Sequence, residues 1–489
     1  MKRLAIYIYF AIGLCMATSC KKFLDEKPIS TSTDITFWKN ENDADKGIAG
    51  GYALLRKTLN KANGLAFYAY GDLPTDEFSA ANSYRFDNIS TIKWSIAVAT
   101  AETGDPMMQM RRYDSFYSAI DQANRCIKFI PTIPDDKFSS ATSKNNLLGE
   151  AYFLRAFNYF YMTRIWGDVP LVTQTGAIAD AVDIPRNKAA EVLAQCLSDV
   201  NTAISLLSWD YANPVNRAVR ANKGSAYALL AHIYAWQGDY QNCNLATDKI
   251  IDQNFYEYVS RDNYLDIYKG RSTEGIFEIA QSGENEGNVG NIANYTLKSP
   301  YLTTNTGNAV FSLNTNTLKN LFNDLNDKRY SKAFALTNST DPICIKYSNI
   351  TYVNGQNVII PVAHNNIIIF RLADIKLLKA EALAALNQFD QSRTILNEVR
   401  GIAGAGAWNG DNANLFEAVI NERGRELFLE GHRFYDLVRL GKKTGTIKFG
   451  DDKMNKSDFD AGKYYWPIDP ALMVINKKLT QTPFWSSKM

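Results

Sequence analysis

The chain reads as a mainly α protein: a superhelix of helical hairpins with long irregular loops and a few short β-hairpins. Two observations predict the helices. Apolar residues recur at helical spacing through about 113–254 and 371–437, and within those stretches 226–250 and 375–399 repeat one helix–turn–helix pattern. A third observation predicts the loops. Turn signals and short alternating runs concentrate at about 256–370, between the two helical blocks.

The first residues are a targeting segment. Lys2 and Arg3 form a short basic start, Leu4 to Met16 is apolar, and Ala17, Thr18 and Ser19 are small. A bilayer of roughly 30 Å needs about 20 apolar residues, so this run is too short to span one. Residues 1–19 read as a secretory signal peptide. The order Ala-Thr-Ser-Cys resembles a bacterial lipobox, in which Cys20 would be acylated and become the mature N-terminus. Residues 20–36, polar and containing Pro28, then form a lipidated tether. No later apolar run is long enough for a transmembrane helix, so the mature protein is expected to be held at a membrane without crossing it.

The remaining residues, 37–489, read as a single domain. Of the whole chain, 46% is hydrophobic and 12% aromatic, ample for a large core. With Lys2 and Arg3 removed, 53 basic residues become 51 and match the 51 acidic ones. A balanced charge gives no general attraction for phosphate backbones, which speaks against nucleic acid as a partner.

Ala44 to Leu59 reads as a first helix, interrupted by Gly50 and Gly51. Residues 113–130 set Phe116, Tyr117, Ile120, Ala123, Ile127 and Ile130 along one stripe, and Pro131 and Pro134 stop that helix. An aromatic-rich helix follows from about Asn145 to Ile165 and ends at Trp166-Gly167-Asp168-Val169-Pro170. Others are expected at about 187–207 and 219–237.

In Ala226 to Trp236 apolar residues recur at helical spacing. Gly238-Asp239-Tyr240 makes a turn, and a second helix carries Cys243, Ala246 and Ile250 inward. This order resembles a tetratricopeptide unit. Ile375 to Val399 repeats it around a turn at Asn387 to Asp390. Such units must stack to bury their faces. In the loop-rich block, Glu274 to Ala280 alternates like a strand, residues 282–317 are irregular, and Asn354-Gly355 signals a hairpin between Ile343–Val353 and Val358–Val362. Long loops inside a folded domain are commonly functional, so this block is expected to bind ligand.

Several ordered segments resemble the SusD/RagB family. Cys20 with Phe23-Leu24-Asp25 and Pro28 is similar to its mature start, and Gly149 to Ala156 running on to Trp166-Gly167-Asp168-Val169-Pro170-Leu171 to its best-marked helix and turn. Arg371-Leu372-Ala373-Asp374 before Lys379 to Ala382 fits as well. So does Asn421-Glu422-Arg423-Gly424-Arg425-Glu426-Leu427 through Glu430-Gly431-His432-Arg433-Phe434-Tyr435-Asp436-Leu437-Val438-Arg439. Trp466-Pro467-Ile468-Asp469 with Gln481 and Pro483 fits the ending loosely.

The resemblance implies a SusD-like, tetratricopeptide-like scaffold, lipid-anchored in the outer membrane and facing outward. It also implies a SusC-like TonB-dependent transporter as partner, and an oligosaccharide or, in RagB-like members, a peptide as ligand.

Glu422, Glu426 and Glu430 share a face if one helix spans them, and such carboxylates could serve an α-helical glycoside hydrolase. Arg423, Arg425, Arg433 and Arg439 interleave with them and would hold them ionised, which favours a structural ion-pair motif that also takes in Asp436. His232, His364 and His432 stand isolated along the sequence, and no metal, nucleotide or cofactor motif occurs, so no metal or cofactor is expected. A repeat scaffold binding only proteins is a further alternative.

Aromatic residues in polar contexts are the better ligand candidates, because sugar C–H faces lie well against aromatic rings. Trp94, Tyr84, Tyr295, Tyr301, Phe311 and Trp408 qualify, with Trp94 and the 284–311 segment foremost. Trp166, Trp236 and Trp466 are expected in the core. Cys126, Cys196, Cys243 and Cys344 follow no pairing pattern that spacing can establish.

Overall fold

Asn40 opens the first helix by accepting a hydrogen bond from the Asp43 amide, and Ser140, Asn222 and Asp239 begin later helices the same way. The structure, a computed structural model, describes residues 37–79, 81, 84–98, 104–176, 183–281, 291–324, 326–355, 359–450 and 453–489. The expected signal peptide, Cys20 and the tether lie outside the described residues.

The long helices are α1 (Glu41–Leu59), α2 (Asp114–Phe129), α3 (Ala141–Trp166), α4 (Ala189–Leu206), α5 (Lys223–Gln237), α6 (Tyr240–Ile251), α7 (Leu372–Ala385), α8 (Phe389–Ile402), α9 (Leu415–Glu426) and α10 (Arg433–Thr444). Helix α1 packs on α2 and α3, α2 on α3, and the series continues pairwise through α4, α5, α6 and α7, with α8 and α9 against α7. This is the stacked-hairpin architecture that the two sequence repeats predict. One hydrophobic core threads it from Ala44 to Trp485.

Helix α3 sits at the centre. From Gly149 to Trp166 only Tyr152 is not buried, so the helix has neighbours all round, and its buried Glu150 and Arg155 are ion-paired with Arg220 and Asp199. Gly51 does not interrupt α1. A side chain there would reach within 2.9 Å of Leu154, so the glycine is where α1 closes on α3. Each repeat turns as expected, with Gly238 left-handed after α5 and Cys243, Ala246 and Ile250 buried from α6.

Strand β1 (Gly275–Ile279) pairs antiparallel with β4 (Ile367–Arg371), both wholly buried, and β4 runs directly into α7. The loop-rich block thus begins and ends on one two-stranded ribbon inside the core. The Asn354-Gly355 hairpin forms from β2 (Ile350–Asn354) and β3 (Ile359–Ala363). Its first arm is shorter than expected, because Ile343–Cys344 pairs instead with Phe334–Ala335. Cys126, Cys196, Cys243 and Cys344 are buried free thiols. Burial pushes Cys126 and Cys344 up to about 12, away from reactive thiolate.

Candidate ligand-binding face

Two loops far apart in sequence meet to form the candidate face. Phe78 bridges to Leu313, the Ser79 amide donates to Ser312 O at 3.0 Å, and the Asn314 amide donates to Glu77 O at 2.8 Å. Above this seam the rings of Phe86, Tyr295 and Phe311 cluster. Phe86 lies 5.4 Å from Tyr295 and 5.7 Å from Phe311, edge-on to both. The Tyr295 hydroxyl donates to Ala62 O at 3.2 Å. Ala62 and Asn63 both hold positive φ, and Gln109 Oε1 receives the Ala62 amide at 2.7 Å. Strained backbone of this kind persists only where its surroundings enforce it.

Of the aromatic residues singled out by sequence, Tyr295 is half-buried in this cluster and Phe311 is its buried floor, 1% exposed. Phe311 is therefore corrected from ligand contact to support. Trp94 requires the same correction. It is 0% exposed and stacked between core rings, with its Nε1 donating to Ile89 O at 3.1 Å. A large apolar surface outweighed the polar neighbourhood that suggested exposure. Tyr84 begins a short helix, Tyr84–Ser90, but its side chain lies outside the described residues, as do 282–290 of the loop segment. Tyr301 is half-buried against a small satellite core with Leu297, Leu302 and Ile343. Trp408 lies elsewhere, in the loop between α8 and α9. The residue that sequence reasoning missed is Phe86, half-buried on the face within the short helix that Tyr84 begins.

Beneath the face lies the charged motif, and it is buried. The expectation that Glu422, Glu426 and Glu430 share one helix is corrected: α9 ends at Glu426, and Leu429 and Gly431 take positive φ before α10 begins. The turn nevertheless brings Glu430 and Glu426 to one cation. Arg371 reaches Glu274 at 2.6 Å, Glu426 at 2.7 Å and Glu430 at 2.8 Å. Arg261 bridges Glu274 and Glu426, Arg329 holds Asp327, Glu422 and Glu426, and Lys346 binds Glu430 at 2.7 Å. Arg261, Glu274, Arg329 and Lys346 all belong to the loop-rich block, so these pairs lock it onto the repeats.

A second set, Arg423 with Asp374 and Asp436, and Arg439 with Glu381 and Asp436, pins α7 to α9 and α10. Arg433 binds both oxygens of Asp76, and the Gly431 amide donates to Asp72 at 2.7 Å. Those contacts fix the 72–78 segment that carries one side of the face.

The electrostatics suit structure and are poor for acid catalysis. Burial alone would raise the Glu422 carboxyl, but Arg425, Arg329 and Arg400 outweigh it and hold it down to about 2. Arg261, Arg371 and Arg329 do the same to Glu426, and Arg371 with Lys346 to Glu430. These carboxylates are ionised, fully paired and closed to solvent, whereas a glycosidase acid must carry a proton and touch substrate.

His232 and His432, isolated in sequence, come together in space. Their ring centroids are 5.6 Å apart, and His232 Nε2 lies 2.8 Å from Asp374 Oδ2. The three side chains could in principle hold a cation. However, Arg423 takes the other Asp374 oxygen at 2.9 Å, and His432 Nε2 lies 3.1 Å from Ile369 O. The donor set is thus engaged by the fold beside a fixed positive charge, and it does not fit a metal.

Stacked helical hairpins with a buried ionic lock and an aromatic face built by loops define a binding scaffold. Residues 304–485 match the model of the SusD family, and residues 22–235 match one described as starch-binding associating with outer membrane. SusD-like protein P38 of Formosa agariphila is 29% identical over 98% of both chains. The crystal structure of a SusD homolog from Bacteroides thetaiotaomicron aligns with TM-score 0.78 at 26% identity, covering 91% of this chain and 98% of that one. A laminarin binding SusD-like protein aligns with TM-score 0.74 at 21% identity, covering 91% of this chain and 100% of that one. The chain belongs to the SusD/RagB family.

Proposed function

We propose that this protein is a lipid-anchored receptor on the outer face of the outer membrane. It captures an oligosaccharide and delivers it to a SusC-like TonB-dependent transporter without chemical change. The observation that carries the ligand reading is the convergence of Phe86 and Tyr295, half-buried rings from segments far apart in the chain, on one braced face. Aromatic rings with polar rims suit sugars, whose C–H faces stack while their hydroxyls take hydrogen bonds. The description of one matching family model, and a structural neighbour that binds laminarin, support a glycan over a peptide. Anchoring rests on Cys20 and its lipobox-like context, and among the described residues no helix is long and apolar enough to cross a membrane.

Isothermal titration of the purified chain against neutral oligosaccharides and short peptides tests the reading. Saturable heat with a glycan, and recovery of that glycan uncleaved, are expected. Binding of peptides alone, or release of shorter sugars, contradicts it.

A further inference from the structure

We propose that the cavity beside Trp408 is a second carbohydrate site, taking a neutral sugar on the indole. The cavity, of about 420 Å³, lies between the loop after α8, the start of α9 and Asn323, and shares no residue with the face at Tyr295. This is the size range of small-ligand clefts.

The indole is preorganised. Trp408 N donates to Asn397 Oδ1 at 2.7 Å, and Asn397 Nδ2 returns a bond to Trp408 O at 3.3 Å. Gly410 lets the ring lie against the backbone, since a Cβ there would sit 2.5 Å from it. Arg393 lies 5.0 Å from the ring centroid, held by Gly410 O and Asn412 Oδ1. The loop itself is tied down by Gly406 N to Asp324 at 2.7 Å and by Arg400 to Gly406 O at 2.7 Å.

The rest of the lining is mainly polar. Exposed Asn323, Asn409 and Asn414, with half-buried Asn421, line the cavity with amide side chains that can donate to and accept from hydroxyl groups. The charged residues are already satisfied. Arg400 and Arg425 are both bound to Glu422, and Glu417 is bound to Lys448. An indole platform rimmed by amides, with each charged side chain of the lining already held in an ion pair, suits a polyhydroxylated neutral ligand.

The test uses the full-length chain titrated with laminarihexaose, cellohexaose, maltohexaose and mannohexaose, and with trigalacturonate as the acidic probe. At least one neutral probe is expected to show a binding step that Trp408→Ala weakens about tenfold or abolishes. Asn421→Ala, which keeps the indole, is expected to weaken the same step, and the Phe86→Leu/Tyr295→Leu double variant to retain it. Trp408 is only half-buried, so unchanged thermal melting will show that the variant is folded. Titrations of Trp408→Ala that superimpose on wild type for every neutral probe overturn the proposal. So does a step lost entirely in the double variant, or tighter binding of trigalacturonate than of any neutral probe.

Discussion

The indoles of Trp94 and Trp466 stack with centroids 4.0 Å apart and planes 13° from parallel. Phe434 and Trp485 flank the pair, and the Arg111 Nε donates to Trp94 O at 2.8 Å. The contact fastens the loop after Ser90 to the last segment of the chain. Trp94→Ala is expected to lower unfolding free energy by about 3–5 kcal/mol, as for other buried aromatic truncations. Urea denaturation measures this, and an unchanged midpoint would place Trp94 outside the core.

Arg371 is the hinge of the ionic lock. Removing it leaves Glu274, Glu426 and Glu430 short of a partner in the dry interior. Arg371→Met should cost about 3–5 kcal/mol, the usual scale for an orphaned buried charge. Limited proteolysis should then cut first in the loop-rich block, which the lock holds in place. A cleavage pattern like that of wild type argues against that role.

Glu278 gives a pH test with a definite sign. Burial pushes its carboxyl from 4.5 up to about 7, and Asn366 and the Arg271 amide only partly oppose this. As pH falls from about 7 toward 4.5 the folded state takes up a proton that the unfolded state does not, so stability rises. Wild type should therefore gain stability relative to Glu278→Gln between pH 8 and 5. Glu422 acts oppositely: held at about 2, it contributes stability above 4.5 that is lost as pH falls further. Denaturation midpoints of both proteins at several pH values check this, and parallel curves between pH 8 and 5 would refute the Glu278 assignment.

Anchoring is tested in cells. Labelled palmitate should enter the wild-type protein and be absent from Cys20→Ala. Label persisting in the variant rules out Cys20 as the attachment point.

Much of the fold was legible because helical spacing and turn residues are local signals. The repeats, the stop at Pro131, the core positions of Trp166, Trp236 and Trp466, and the ion-pair reading of 421–439 all follow from neighbours in sequence. Other features depend on distant partners. Trp94 looked exposed beside polar residues, yet its partner Trp466 is near the other end of the chain. The meeting of His232 with His432, and of Phe86 with Tyr295, likewise had no local sign. Glu430 was placed on a helix that ends at Glu426, with left-handed Leu429 in the turn that follows.

The ligand face is tested most directly by calorimetric titration of the Phe86→Leu/Tyr295→Leu variant, which keeps apolar bulk but removes both rings. With a glycan that binds wild type, affinity at this face should fall at least about tenfold while the melting temperature stays within a few degrees. Wild-type affinity in a protein lacking both rings would show that the sugar is held elsewhere.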